Sequence, residues 1–102
     1  MKLTEQIIRQ ALVKVIDPEL QIDIVSLGLI YNVKIEGGKK VIIRMTLTTP
    51  GCPLAPVIDQ MVRESLFGLV EDTDQDVAIE LTFDPPWIPE MMSEEARLEL
   101  NL

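Results

Sequence analysis

The fold is decided by residues 29–53, which read LIYNVKIEGGKKVIIRMTLTTPGCP. Apolar and polar residues alternate in two runs, which predicts two strands that each bury one face. Gly37-Gly38 lies between the runs and supplies the positive φ angles of a tight hairpin. The predicted buried face is made of Leu29, Tyr31, Val33 and Ile35 in the first strand and Val41, Ile43, Met45 and Leu47 in the second. The alternation continues to Thr49 and then breaks at Pro50-Gly51-Cys52-Pro53.

Helical periodicity flanks this hairpin on both sides. Residues 4–16 place apolar side chains at helical spacing, and Asp17-Pro18 should end that helix because the residue before proline avoids the helical region. Residues 54–69 show the same spacing. Pro56 is tolerated only in a first turn, so the second helix should begin close to Pro53.

The rest of the chain predicts one more strand and one more helix. Residues 77–83 alternate, with Val77, Ile79, Leu81 and Phe83 on one face. Ser93 is followed by two glutamates, which is typical of the first turn of a helix. The order α-β-β-α-β-α predicts one α+β domain over residues 1–102, a two-layer sandwich with a small mixed sheet and helices packed on one face. The strand–helix–strand passage should be a right-handed crossover between parallel strands.

Composition excludes several kinds of function. The net charge is −8, which disfavours nonspecific binding to nucleic acids and anionic membranes. The chain has no histidine, which removes Ser-His-Asp and Cys-His catalysis and every imidazole ligand. Its single cysteine excludes an internal disulfide, a cysteine–histidine zinc site and a self-contained iron–sulfur cluster, which needs several thiolates. A lone thiol and no signal peptide predict a reducing cytoplasm.

Cys52 is the strongest candidate for a reactive group. It stands at or just before the predicted second helix, where unpaired N–H groups and the helix dipole stabilise an anion and should lower the pKa of a thiol. Gly51 allows a close backbone approach, and Thr48 and Thr49 offer hydroxyl donors. The alternative is that Cys52 is a small buried hydrophobe beneath a proline-stiffened turn.

Three further segments have both structural and functional interpretations. Asp17 and Glu19 are candidate metal ligands or general acids, but Asp-Pro-Glu also caps turns. Trp87, in Asp84-Pro85-Pro86-Trp87, is predicted to seal an edge of the core with its indole N–H paired, and the loop is a candidate interaction surface. Residues 71–76 are acidic but lack the spacing of a calcium loop, so we expect a solvated loop.

Four motifs, in order, resemble the metal–sulfur cluster biosynthetic family, which includes SufT-like and PaaD-like proteins. They are Asp17-Pro18-Glu19-Leu20, Ile24-Val25-Ser26-Leu27-Gly28-Leu29-Ile30-Tyr31, Met45-Thr46-Leu47-Thr48-Thr49-Pro50-Gly51-Cys52-Pro53-Leu54 and Asp84-Pro85-Pro86-Trp87. The resemblance covers nearly the whole chain. It implies an iron–sulfur assembly fold and a role in maturing iron–sulfur proteins. Because the chain lacks the second cysteine of a PaaD-type tail, we expect the SufT-like kind.

The resemblance also implies roles for individual residues. Cys52 matches the family's reactive cysteine, Thr48 and Thr49 match polar residues beside it, and Asp17 and Glu19 match an acidic pair that shares its pocket. The implied function is a non-enzymatic cluster carrier or targeting adaptor, with no resident cofactor or only a transient iron–sulfur cluster or iron on Cys52. The implied partners are client and assembly proteins, and a homodimer is left open.

Two other functions stay open from the residues. One is a thiol enzyme, because Thr49-Pro50-Gly51-Cys52 has the Thr-x-x-Cys spacing of thiol peroxidases. In that case Met45 occupies the position where the peroxidase motif has a proline. The other is an interaction module in which Cys52 is structural and the Pro-Pro-Trp loop is the docking surface.

Overall fold

The chain forms three α-helices and three strands, with a short 3-10 helix before the last α-helix, in a computed structural model that describes residues 3–48 and 53–100. In chain order these are α1 (Glu5–Leu12), β1 (Ile30–Glu36), β2 (Lys40–Met45), α2 (Ala55–Ser65), β3 (Val77–Leu81), the 3-10 helix (Pro89–Met91) and α3 (Glu94–Glu99). The predicted order α-β-β-α-β-α and the α+β class are confirmed.

The strands form one mixed sheet in the order β1-β2-β3. β1 and β2 are antiparallel, and the turn between them is built on Gly37 and Gly38, with φ values of 60° and 72°. Both angles lie in the left-handed region, as a tight hairpin requires. β2 and β3 are parallel, so the chain between them crosses over through α2, as the sequence predicted.

The core lies on one face of the sheet. Val41, Ile43 and Met45 of β2 are each no more than 1% exposed, and Leu47 beyond the strand is also buried. α1 packs against β1 and α2, and it contributes Ile8, Ala11 and Leu12 to the same core. The buried face of the second strand is therefore the predicted one.

Tyr31 does not lie on the predicted buried face. The pairing of β1 with β2 shifts between Ile30 and Asn32, so a bulge falls at Tyr31. Ile30 takes the core position opposite Met45, while Tyr31 lines a surface depression together with Asn32 and Arg44. The extra residue reverses the alternation at this end of the strand, which a strict two-residue period does not anticipate.

Both long helices end earlier than predicted. α1 stops at Leu12 and not at Ile16, because the backbone tightens into Lys14 N–H to Ala11 and Val15 N–H to Leu12 bonds, and Ile16 then pairs with Asp23. α2 stops at Ser65 and not at residue 69, in a similar turn of three-residue hydrogen bonds. Its start agrees with the prediction, since Pro56 lies in the first turn.

The apolar stripe predicted on β3 is only partly buried. Val77 is 2% exposed, but Leu81 is 48% exposed and Phe83 is 40% exposed. β3 ends at Leu81 and occupies an edge of the sheet, so fewer neighbours cover its far end. β2 likewise ends at Met45, before the predicted Thr48, and Thr46 and Leu47 are both buried.

Arg63 fastens the loop between α2 and β3. Its Nε donates to Asp59 at 2.7 Å, one turn earlier on α2. Its Nη1 donates to the carbonyl oxygens of Thr73 and Val77 at 2.8 and 2.7 Å. The acidic loop over residues 71–76 is thereby tied to the helix and to the first residue of β3, and a charged donor makes each of these bonds stronger than a neutral one.

We expect Arg63→Ala to lower the free energy of unfolding by about 2 kcal/mol, because carbonyl groups held by a guanidinium lose their donor. Arg9→Ala is the matched control: Arg9 forms the same helical i,i+4 pair, with Glu5 at 2.8 Å, on a more exposed surface. Its removal should cost ~0.5 kcal/mol or less. Urea denaturation measures both. Equal losses for the two variants would contradict the role given to Arg63.

Candidate functional site

Two of the segments singled out in the sequence, the Cys52 loop and Asp84-Pro85-Pro86-Trp87, follow strands that end at the same end of the sheet. Because β2 and β3 are parallel, the chain that follows Met45 and the chain that follows Leu81 both emerge there. Thr82 N–H donates to the Met45 carbonyl at 2.9 Å, which holds the two exits side by side. Residues after parallel strands converge in this way at the carboxyl edge of α/β sheets, where ligand sites are common.

The Cys52 loop begins and ends within the described residues, but its middle does not. Thr48 is half-buried, and Pro53 is exposed one residue before the N-cap of α2, Leu54. Thr49, Gly51 and Cys52 lie outside the described residues. Their roles, and the distances from Cys52 to its expected neighbours, stay predictions.

The beginning of α2 differs from the beginnings of the other two α-helices. Thr4 and Ser93 cap α1 and α3 through their side chains, and both helices have glutamate in the first turn. α2 has no side-chain cap bond and no acidic residue in its first turn. Among the described residues, therefore, no acidic side chain of the first turn offsets the positive end of α2.

Asp17 caps a turn, which is the structural one of the two roles that the sequence left open for it. It is 5% exposed, and its Oδ1 accepts from the N–H groups of Glu19 and Leu20 at 2.8 and 3.1 Å. The backbone closes the same turn, since Gln21 N–H donates to the Asp17 carbonyl at 2.7 Å. Glu19 is exposed at the surface of this turn. Within residues 3–48 and 53–100, no hydrogen bond joins either acid to Thr48.

The Asp84-Pro85-Pro86-Trp87 loop is fastened to the rest of the fold by two long-range hydrogen bonds. Trp87 Nε1 donates to the Leu27 carbonyl at 2.6 Å, and the ring packs against the core, as predicted. The Tyr31 hydroxyl donates to the Pro85 carbonyl at 2.8 Å. The second bond was missed by the sequence analysis, because Tyr31 was expected to face the core.

Gly28 allows the chain around Met91 to lie against the loop before β1. Its φ is +79°, and a Cβ built there would overlap the Met91 backbone, 2.8 Å from its carbonyl carbon. Met91 Sδ in turn lies 3.6 Å from the Tyr31 hydroxyl. Gly28 belongs to the second sequence motif, so the close approach gives that glycine a physical reason.

Neither a cluster of potential metal ligands nor a membrane-spanning helix is found in the described part of the chain. No group of three or more acidic or cysteine side chains is placed to hold a metal ion within residues 3–48 and 53–100. None of the helices in these ranges is both long and apolar enough to cross a bilayer.

Substitutions in the Asp17 turn should separate a structural carboxylate from a functional one. Asp17→Ala removes the acceptor of two backbone N–H groups, so we expect a loss of about 2 kcal/mol in unfolding free energy. Asp17→Asn keeps the oxygen and should recover most of that loss, while Glu19→Ala should stay within about 0.5 kcal/mol of the parent. Thermal or urea unfolding checks the series. If Asp17→Asn were as unstable as Asp17→Ala, a charge-dependent role would replace the turn-capping one.

Gly28→Ala tests the close approach to Met91. Gly68 provides the control, since its φ is also positive, at +91°, while nothing lies within 4 Å of a built Cβ. Gly68→Ala should cost only the strain of the left-handed backbone, about 1 kcal/mol, and Gly28→Ala should cost more because it also displaces the Met91 backbone. Unfolding free energies that are equal for the two variants would remove the steric argument.

Comparison with known proteins identifies the family. The model of the iron-sulfur cluster assembly protein family matches residues 5–79. The chain is 45% identical over 92 residues to the Fe-S protein maturation auxiliary factor YitW of Bacillus subtilis, covering 90% of this chain and 88% of that one. It is 42% identical over 88 residues to the Fe-S protein maturation auxiliary factor SufT of Staphylococcus aureus, covering 86% and 98%.

Solved structures agree with this result. A domain of unknown function from Bacillus anthracis superposes with a TM-score of 0.87 at 37% identity, covering 96% of this chain and 92% of that one. Rv1466 of Mycobacterium tuberculosis, described as a protein associated with Fe-S complex assembly and repair, superposes with a TM-score of 0.55 at 37% identity, covering 92% and 80%. The chain therefore belongs to the iron-sulfur cluster assembly protein family, as its four motifs predicted.

Proposed function

We propose that this protein is a non-enzymatic auxiliary factor in the maturation of iron–sulfur proteins, acting as a cluster carrier or targeting adaptor through Cys52. The observation that supports this most directly is the sequence similarity of nearly the whole chain to maturation auxiliary factors. The alignment with the S. aureus factor covers 98% of that protein. Nearly every element of that factor therefore has a counterpart here. The proposal assigns the same type of work to this chain.

Cys52 is the group best suited to handle iron. It is the only thiol in a sequence without histidine, and soft thiolate is the preferred ligand of iron–sulfur clusters. It precedes the first residue of α2, Ala55, by three positions, and α2 has neither a side-chain cap nor a first-turn acid. An anion near this helix end is favoured electrostatically, which supports a thiolate at Cys52.

The cluster is cargo in this proposal. One thiolate holds iron weakly, and a cluster needs further ligands that the described residues do not supply as a group. The missing ligands would come from a second protein, a second copy of this chain or a small thiol. Binding by a shared set of ligands suits a carrier, because withdrawal of one set of ligands releases the cluster to the other.

The exposed end of the β3 stripe supports docking close to this loop. Leu81 and Phe83 are 48% and 40% exposed, and Leu81 pairs with Met45, the last residue of β2 before the segment that leads to Cys52. Exposed apolar side chains of this size are typical of contact surfaces when they cluster beside a functional group. A client or assembly protein that covers them would also bring its ligands towards Cys52.

Cys52→Ser is the decisive substitution, since it keeps the size of the side chain and removes the soft ligand. In a strain that lacks the endogenous factor, we expect the activity of a 4Fe–4S dehydratase to fall to the level of the deletion, while the variant remains folded in a thermal melt. Anaerobic reconstitution with iron and sulfide should likewise give less cluster absorbance than the parent. Equal client activity and equal cluster uptake would remove Cys52 from the mechanism.

The rate of Cys52 alkylation at neutral pH provides an independent measurement. A thiolate stabilised at a helix end should react with iodoacetamide faster than a model peptide thiol. A rate no faster than the model thiol, with no iron bound, would favour the interaction module. Peroxide turnover that disappears in Cys52→Ser would instead favour the thiol enzyme.

A further inference from the structure

β3 bonds to β2 through its even-numbered residues. At one end of the strand the Val41 N–H donates to the Asp76 carbonyl at 2.7 Å, and at the other the Thr82 N–H donates to the Met45 carbonyl at 2.9 Å. Between parallel strands the backbone groups of alternate residues face the partner. The odd-numbered residues of β3 therefore direct their N–H and C=O groups to the opposite side, which is an outer edge of the sheet.

This outer edge is open from Ile79 to Leu81. At Val77 the outward carbonyl accepts from Arg63 Nη1 at 2.7 Å, which closes the beginning of the edge. Within residues 3–48 and 53–100, no strand pairs with this side of β3, and no hydrogen bond joins the N–H or C=O groups of Ile79 and Leu81 to a partner there. These four groups can pair with one more strand.

The two edges of the sheet differ in their protection against pairing. β1, at the other edge, has a bulge at Tyr31 and exposed charges at Lys34 and Glu36. Bulges and lysines keep an edge from pairing with another chain. β3 keeps a regular register with β2 over its five residues, and its sequence VAIEL has neither lysine nor proline. β3 is therefore the edge that accepts a further strand more readily.

The side chains of β3 determine what an added strand carries. On the core side Ile79 is partly exposed, and Leu81 and Phe83 are exposed. Apolar side chains placed beside these three would remove apolar surface from water. On the opposite side Glu80 is exposed, and Arg44 is its neighbour on β2 without an ion pair between them. An added strand lies on the other side of Glu80, where a basic side chain would meet the carboxylate.

The charge around β3 favours the same occupant. Residues 71–84 contain six acidic residues and no basic residue, and none of the six carboxylates forms an ion pair with a cation of the described ranges. Arg63, which bonds to carbonyls of this segment, is paired with Asp59. Lys40 and Arg44 lie on β2, and β3 stands between that strand and the outer edge. A second copy of the chain would bring two such acidic segments together, and anionic polymers would be repelled in the same way.

We propose that the outer edge of β3 accepts an extended segment of a partner protein in which apolar residues alternate with basic ones. The segment adds a fourth strand to the sheet: its backbone bonds to Ile79 and Leu81, its apolar side chains cover Leu81 and Phe83, and its basic side chains lie beside Glu80. The proposal rests on the proposed function only in taking the partner to be a client or assembly protein. Residues 49–52 take no part in it.

Hydrogen exchange of backbone amides tests this pairing directly. The nitrogen-15-labelled protein is titrated with a seven-residue peptide that alternates lysine and valine, acetylated and amidated at its ends. With the peptide at about ten times its dissociation constant, the N–H groups of Ile79 and Leu81 should exchange ~10-fold more slowly than in the protein alone. Those of Ala78 and Glu80, which bond to β2, should change little. A peptide of the same sequence with methylated backbone nitrogens cannot form the ladder and should not bind.

Two substitutions separate the backbone of the edge from its charge. Leu81→Pro removes an outward N–H, which proline allows on an edge strand, so the variant should remain folded in a thermal melt and lose peptide binding. Glu80→Lys should raise the dissociation constant of the lysine–valine peptide at least ~3-fold. Glu36→Lys is its control, since it makes the same change of charge at the other edge of the sheet, and it should leave the dissociation constant unchanged.

Absence of protection at Ile79 and Leu81 would overturn the proposal, as would equal binding of the methylated peptide or equal weakening by Glu80→Lys and Glu36→Lys. Tighter binding of a glutamate–valine peptide, of oligouridylate or of phosphatidylglycerol vesicles would reject a basic segment as the occupant. Protection that appears without peptide as the protein concentration rises would replace it by a second copy of the chain. Cys52→Ser should bind the peptide as the parent does, so failure of Cys52 in client maturation and failure of the edge in peptide binding are separate results.

Discussion

The pairing of β2 with a strand on each side is the constraint on which the rest of the structure depends. A three-stranded sheet of this size can bury only one face, and Val41, Ile43 and Met45 occupy that face at the centre. The antiparallel partner is reached by a tight turn, but the parallel partner requires a crossover, and α2 supplies it. This topology places the residues that follow Met45 and the residues that follow Leu81 side by side at one end of the sheet. The position of the candidate site therefore follows from strand direction.

Two features of positive potential interrupt an otherwise acidic molecule. One is the beginning of α2, which lacks the first-turn acids and side-chain caps of α1 and α3. The other is the hairpin of residues 30–45, whose net charge is +3. The charge at the end of a helix acts on a nearby anion over a short range, whereas attraction between exposed charges weakens with salt. The remaining 86 residues have a net charge of −11 and repel polyanions.

The parts of the fold that sequence predicted are those determined by local chemistry. Gly37-Gly38 favours a turn, and Pro56 is tolerated only in the first turn of a helix. The Ser93 side chain caps α3 by accepting from the Ala96 N–H. The Trp87 indole N–H needs a hydrogen-bond acceptor and finds one. The errors arise where tertiary pairing overrides the local pattern. Tyr31 is displaced by a bulge that only the pairing with β2 reveals. α1 ends before Ile16, which pairs with Asp23, and Leu81 is exposed because β3 is an edge strand of the described sheet. The expected proximity of Asp17 to Cys52, thirty-five positions away in the sequence, has no local sequence signal and stays a prediction.

The two acids of the first motif, Asp17 and Glu19, differ in how far the fold explains them. Asp17 is buried and its Oδ1 is occupied by two backbone N–H groups, so the requirements of the turn alone account for an aspartate at this position. Glu19 is exposed and has no comparable structural duty, which leaves it free to meet a partner or a ligand. The same reasoning applies to Gly28, which the close approach of the Met91 backbone explains. Residues whose presence the fold does not explain are the ones whose substitution should alter function without altering stability.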